Sequence, residues 1–553
     1  MSVEDHLLDD IEPNSVTTRT HIPYKPLASL NDPFVLNDIA TRNYKTQYAN
    51  IYFTRLLKLR PLVAKVANER WAETPGKPKL LKRILNVERT KLCYIIGTIY
   101  MEMPLKPNIL EDMGRDHWIA APPPRRKIFS PEDVVHLEDE SGRVTLVGKR
   151  LRKEVERPGG GLVTGVVTAC LGMENASGDF EVIDLCFGGL PPLASPSSLK
   201  PVKPLQTDTK QNVNKGKGKA KQVVPDEDVD MDADSVTQNV DMETKDGEPQ
   251  WVALISGLSA GSSEVPEDLK GQLLSEWLTG ELGGVDDQID GAKVGRIILA
   301  GNSLSQPVRN EDDRKPKRYG YDSSTYTAHP TSTLDALLTD LLTAGLPVHI
   351  VPGPEDPVGS TLPQQPFPRS MLRNAAMGGG KALTMETNPC WLELGGKSFL
   401  GAGGQALDDI YKYLPSDDRL SMARRTLEWR HIAPTAPDTL WCFPFSDKDP
   451  FIIERRPNVY FWGNQPEFRT ALVGESDAPT RIVLLPRFAE TGLVTLINIA
   501  SRNLECKTVS IGIPEWDKKT KIELSEEEVE AERARTAVVR SDLDMMNDEG
   551  GDW

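Results

Sequence analysis

Cysteine is scarce in this chain. Cys93, Cys170, Cys186, Cys390, Cys442 and Cys506 are spread over 553 residues, and the closest two stand 16 positions apart. There is no C-x-x-C, which excludes a compact zinc knuckle. Six scattered thiols in a chain this long fit a reducing compartment and not a secreted disulfide scaffold. Long hydrophobic runs are missing as well. No stretch approaches the ~18 continuous apolar residues of a membrane helix, so no membrane partner is expected. No apolar stretch follows the acidic start Met1–Asp5, so no secretory signal is expected either. Positive charge is in deficit: 65 Lys and Arg against 81 Asp and Glu leave a net −16. That excludes a protein that coats nucleic acid through its overall charge, and leaves room only for a local basic groove. The expectation is a soluble intracellular protein.

What is present suggests several units. Hydrophobic residues make up 39% of the chain, enough for real cores, and a length of this order implies about three or four domains. Residues 1–33 are polar and proline-bearing and read as disordered. Helical periodicity then runs over 38–72, within a helical segment 34–89, with a bend or break expected near Pro61. Its basic residues Arg55, Lys58, Arg60 and Lys65 read as a solvated face sooner than as phosphate ligands. Over 90–194 five β-rich runs appear: Lys91–Tyr100, Asp133–Leu137, Arg143–Val147, Leu162–Cys170 and Phe180–Cys186. Five strands in this span suit a small barrel of the OB type. Such barrels bind single strands through basic and exposed aromatic residues. The strand residues here are mostly aliphatic, which disfavours that use.

From Gly188 to Gln250 there is no aromatic residue. Five lysines lie between Lys210 and Lys221, followed by six acids over Asp226–Asp234. Segregated charge with little apolar content predicts a disordered linker over 195–248. Within it Lys215, Lys217, Lys219 and Lys221 read equally as a nuclear-import patch or as solvated linker. Residues 249–518 read as α/β: apolar runs Trp251–Ile255, Val294–Ala300 and Pro347–Val351, with Leu334, Leu337, Leu338, Leu341 and Leu342 on one helix face between the last two. Further runs are Val459–Trp462, Ile482–Leu485 and Leu493–Ile497. An acidic tail, 519–553, closes the chain.

Ligands of α/β folds sit in the loops beyond the strand ends. Three such loops carry glycine: Ser256–Leu258, Gly301–Ser305 and Gly353–Asp356. Their order resembles the binuclear, calcineurin-like metallophosphoesterases, whose Asp and His clusters hold two metals that clamp a phosphate. Aligned on that pattern, the first Asp and His positions fall on Ser256 and Leu258. The bridging Asp falls on Asn302 and the second Asp on Ser305. The Asn-His pair falls on Pro354 and Glu355, with Asp356 retained. The lone His falls on His431, and the final His pair on Asn464 and Pro466. Leu258 and Pro466 have no side-chain ligand atom and Asn302 bridges poorly, so two-metal catalysis and any cofactor are not expected.

A phosphoesterase-like sandwich without its ligands, preceded by a five-stranded barrel, resembles the B-subunit family of replicative DNA polymerases, and within it the small subunits of DNA polymerase delta. The carrying segments are Cys93–Gly97, Leu185–Gly189, Leu362–Pro366, Phe399–Gln405, Arg430–Leu440 and Pro457–Asn464, and the likeness runs from about residue 37 to 513. The charged linker and the acidic tail depart from it. The resemblance implies a nuclear, non-catalytic scaffold in replication and repair synthesis. It implies a grip on the C-terminal metal-binding domain of the polymerase delta catalytic subunit. It also implies a third, elongated subunit, with the sliding clamp and DNA reached indirectly. A surviving phosphoesterase, or a single-stranded DNA binder working through the barrel, are the alternatives. Two glycine-rich stretches are decoys. Gly396–Ser398 and Gly378–Lys381 lack the earlier glycine of a P-loop and read as turns or loose loops. His349, inside an apolar strand, reads as a hydrogen-bonded core histidine, and His431 alone reads as structural.

Overall fold

The computed structural model describes residues 19–36, 42, 44–107, 125–157, 161–193, 249–262, 265–306, 328–475 and 478–512. The expectations for residues 1–18, for the linker with Lys215, Lys217, Lys219 and Lys221, and for the tail beyond 512 lie outside them.

The barrel is built from β2 (Lys79–Leu80), β3 (Cys93–Glu102), β4 (Val134–Glu138), β5 (Arg143–Val147), β6 (Val167–Glu174) and β7 (Phe180–Cys186), in the order β2-β3-β4-β5-β7-β6. A further β3–β6 pairing closes it. Ile95, Ile99, Leu137, Leu146, Cys170, Phe180 and Val182 belong to its core. The alternate residues Tyr94, Ile96, Val167, Ala169 and Leu171 face outward and are covered by α2 (Ala49–Trp71) through Leu56, Leu59, Val63, Ala67 and Trp71. Each of the buried leucine and valine side chains of α2 contributes about 1.5–3 kcal/mol.

Three expectations need correction here. The helix begins at Ala49 and continues through Pro61 without a break. Leu162–Val166 is a turn-bearing lead-in, and the strand begins at Val167, because Gly165 takes φ +91° against the carbonyl of Pro434. Arg55 is neither solvated nor open to phosphate: it is fully buried. Arg60 and Lys58 do stay near the surface, paired with Glu140 and Glu454.

The α/β region has two six-stranded sheets where the periodicity suggests one. The first runs β11-β10-β9-β8-β17-β18, from Leu383–Met385, Val348–Val351, Val294–Ala300, Trp251–Ile255, Leu493–Asn498 and Cys506–Ser510. Strands β8 to β11 are parallel. The second runs β1-β12-β13-β14-β16-β15, from Tyr24–Pro26, Cys390–Leu394, Lys397–Ala402, Val459–Gln465, Thr480–Pro486 and Arg469–Val473. The two share one core, with Val252, Leu254, Ile298 and Val351 meeting Leu392, Phe399, Phe461 and Val483. Burial on both faces explains why β9 is apolar or covered at every position. The outer face of the second sheet packs on α8 (Gln405–Tyr413) and α9 (Arg419–Trp429), and that layer is continuous with the barrel core. The remaining helices are α1 (Ala28–Asn31), α3 (Lys149–Glu156), α4 (Val265–Thr279), α5 (Val285–Ala292), α6 (His329–Thr343), α7 (Arg373–Gly379) and α10 (Phe488–Thr491). Gly395 and Gly396, at φ +53° and +76°, turn β12 into β13, so the Gly396–Ser398 decoy is a hairpin turn.

Residues 19–33 are ordered, against expectation. Arg19 donates to Leu278 O (2.6 Å) and Val294 O (2.8 Å). Ile22 enters the core between the sheets. Strand β1 covers the edge of β12, with Tyr24 opposite Leu394. Asn31 exchanges two hydrogen bonds of 2.8 Å with the backbone of Trp391. The strap was illegible because its buried side chains, Ile22, Leu27 and Phe34, follow no period.

Candidate functional site

The loops beyond β8, β9, β10, β13 and β14 converge, and short hydrogen bonds close them on one another. Ser256 Oγ donates to Ala300 O at 2.7 Å and accepts from Asn464 N at 2.8 Å, tying both sheets together. Asn464 Nδ2 donates to Gly403 O at 2.8 Å. Asn302, at φ +52°, accepts the Glu355 N–H on Oδ1 at 3.0 Å. A Cβ on Gly353 would stand 2.4 Å from that Oδ1, so only glycine lets these loops approach. Asp356 is buried and takes Gly353 N on Oδ2 (2.7 Å) and Leu304 N on Oδ1 (3.1 Å). Burial pushes its carboxyl up to about 6, against the pull of those N–H groups. Glu355 pairs with Arg487.

Ser256, Asn302, Glu355, Asp356 and Asn464 are thus brought together. Leu258 is buried as an apolar side chain, whereas Pro354 and Pro466 are exposed. Ser305 Oγ is buried without a partner among the described residues. His431 belongs to another cluster. Its Nδ1 accepts the Ala433 N–H (3.2 Å), which puts the ring proton on Nε2, 2.9 Å from Asp449 Oδ2. Burial and the neighbouring Arg55 push His431 down to about 4. Burial pushes Asp449 up, but His431 and Arg55 outweigh it and hold the carboxyl far below its usual range.

The donor set does not suit a metal. Both Asp356 oxygens already accept N–H groups, and the unpaired buried atom of Asn302 is Nδ2, a donor that cannot ligate a cation; Asn464 Oδ1, buried and unpaired, is a single neutral oxygen. Among the described residues no group of three or more His, Cys, Asp or Glu is placed to hold one.

An amide network without titratable groups braces the loops. Gln364 Nε2 donates to Gly353 O (2.9 Å) and Gly359 O (2.6 Å). Asn388 Nδ2 reaches Gln364 Oε1 (2.8 Å) and Gln405 Oε1 (2.9 Å), while its Oδ1 accepts Gly403 N (2.9 Å). Sequence reasoning set Gln364 and Gln405 in resemblance segments without a role and missed Asn388 and Asp449; no motif marks them. His349 is the expected core histidine, with Arg296 donating to Nε2 (2.9 Å) and Glu386 facing Nδ1 (3.0 Å).

Residues 47–185 match the family described as DNA polymerase delta subunit OB-fold domain, and residues 252–470 match the B-subunit family of DNA polymerases alpha and epsilon. The DNA polymerase delta small subunit of Oryza sativa subsp. japonica is 35% identical over 84% of this chain and 92% of its own length. That of Saccharomyces cerevisiae is 30% identical over 92% of this chain and 98% of its own. The chain belongs to the DNA polymerase delta small-subunit family. As a polymerase delta small subunit it is a non-catalytic accessory chain in DNA replication and associates with other subunits of the polymerase. DNA polymerase delta subunit 2 of Drosophila melanogaster, 31% identical over 90% of this chain and 99% of its own length, extends the family to animals. Among the described residues no helix is long and apolar enough to cross a membrane.

Proposed function

We propose that this chain is a nuclear scaffold. It bridges the C-terminal metal-binding domain of the polymerase delta catalytic subunit and a third, elongated subunit that reaches the sliding clamp, in replication and in repair synthesis. Its sandwich is read as a phosphoesterase-like fold whose site has closed. The carrying observation is the loop convergence. Ser256, Asn302 and Asn464 hold neutral hydrogen bonds where a two-metal enzyme needs ligands, and Asp356 holds backbone. A platform held this way is rigid without substrate or metal. A barrel core continuous with the sandwich supports a composite docking surface over both.

The test is co-expression with the C-terminal domain of a delta-type catalytic subunit, followed by size exclusion at about 0.15 M and about 1 M sodium chloride. An obligate, largely apolar interface keeps the two together at both, because burial of apolar surface is not screened by salt. Separate elution of two folded proteins at the lower salt overturns the reading. An alternative role as a single-strand binder through the barrel's outer strand face is disfavoured by α2, which covers Tyr94, Ile96, Val167, Ala169 and Leu171.

A further inference from the structure

The barrel carries charge of the opposite sign to the rest of the chain. Residues 47–185 hold 22 Lys and Arg against 18 Asp and Glu, a net +4, within a chain whose net charge is −16. Between Glu73 and Glu88 there is no acid at all, and Lys77, Lys79, Lys82 and Arg83 fall in that interval. All four are exposed, and none has an ion-pair partner among the described residues.

The acids on the neighbouring hairpin and after the segment are already engaged, and Glu73 before it makes no ion pair with any of the four among the described residues. The segment 83–85 docks on the turn between β4 and β5, where Asp139 accepts the N–H groups of Ile84 (2.8 Å) and Ser141 (2.7 Å). Glu138 on that hairpin pairs with Arg143, and Glu140 is held by Arg60 in a bidentate pair. Arg83 acts on Glu140 through space without contact. Towards the other end Glu88 pairs with Lys91 and Glu174 with Arg89. Lysine on an edge strand also guards against edge-to-edge pairing. That explains Lys79, on the two-residue edge strand β2, but not Lys77, Lys82 or Arg83, which lie outside it.

We propose that Lys77, Lys79, Lys82 and Arg83 form a docking site for the phosphodiester backbone of nucleic acid. Four uncompensated cations within seven positions supply phosphate contacts, and no exposed aromatic accompanies them for base stacking. The contact is therefore independent of base sequence and steeply salt-dependent. It uses the edge strand β2 and its flanks, and not the residues that α2 covers. The choice of nucleic acid over an acidic protein rests on the family: a polymerase accessory subunit works where DNA is always present. Single- and double-stranded DNA present the same backbone, so the two are separated by experiment.

Binding of the full-length chain to a labelled single-stranded oligonucleotide, to its duplex and to poly-glutamate is followed by fluorescence anisotropy across a salt series. Four phosphate contacts predict a slope of about −3 in log affinity against log salt. The variant K77Q/K79Q/K82Q/R83Q should melt as the parent does and lose most of that slope, with affinity falling more than tenfold at about 0.05 M salt. The control R369Q/R373Q/K381Q, exposed on the sandwich, should bind like the parent. Preference for one DNA form, lost in the variant, supports the proposal and names the source. A parent chain that binds neither DNA, a variant that binds as well as the parent, or poly-glutamate bound more tightly than both DNAs at equal charge overturns it.

Discussion

Arg55 Nε lies 2.7 Å from Asp449 Oδ2, with both side chains fully buried. Arg55 belongs to α2 on the barrel, and Asp449 to the loop that follows α9 in the sandwich. The other guanidinium nitrogens donate to Gly165 O (3.1 Å), Pro434 O (2.7 Å) and Ala436 O (2.8 Å). One side chain therefore joins the helix, the lead-in to β6 and two sandwich carbonyls, with Asp449 shared by His431.

Removing one partner of this pair strands the other charge. Arg55→Met is expected to destabilise the protein by about 3–5 kcal/mol, and Asp449→Asn by a comparable amount. The double variant should lose less than the sum, because no carboxylate is left unpaired. Urea melts of the four proteins measure this, and full additivity would mean that the pair does not couple the two parts.

Two buried groups set opposite pH dependences. His431 is pushed from 6.5 to about 4, so the unfolded chain binds more protons between these values, and this group lowers stability as pH falls through that window. Asp356 is pushed from 3.8 to about 6, so the folded chain binds more protons there, and this group raises stability as pH falls from about 6. Asp356→Asn should therefore steepen the loss of stability on acidification, and His431→Gln should flatten or reverse it. Melting temperatures between pH 4 and 6.5 separate the two, and identical profiles in all three proteins would contradict both assignments.

The N-terminal strap is part of the fold. Ile22 is 1% exposed in the core between the sheets, and Ile22→Ala is expected to cost about 2–5 kcal/mol. Deleting residues 1–36 should do more, because it also uncovers the β12 edge and opens a surface for pairing with other chains. Light scattering on the truncated chain would show aggregation. A monodisperse, equally stable product would refute the role.

No phosphodiester turnover is expected with manganese and a chromogenic substrate. The loops hold neutral hydrogen bonds, and Asp356 is committed to backbone N–H groups. Turnover by purified protein that disappears in Asp356→Asn would restore the enzyme reading.

The strands with strong apolar runs, β3, β8, β9 and β14, were legible because a strand buried on both faces leaves no other pattern. The leucine face of α6 was legible from its period. The N-terminal strap, the short edge strands and β12–β13 were not, since a few mixed residues do not mark a strand. The positions aligned on the phosphoesterase pattern could be named one by one, but not that five of them meet while His431 joins a different cluster.

By itself the sequence determined the family and the order of barrel and α/β region, and it places Ser256, Leu258, Asn302 and Asn464 where the phosphoesterase resemblance expects metal ligands. These depend on residue identity and local spacing. Only the tertiary structure decided that Arg55 is an internal tie and not a surface charge, that Ile22, Leu27 and Phe34 belong to the core, and that the cations from Lys77 to Arg83 remain unpaired. Arg55 and Asp449 stand 394 positions apart. Whether a charge is buried, bonded or free is set by what packs against it, and distant segments supply those partners.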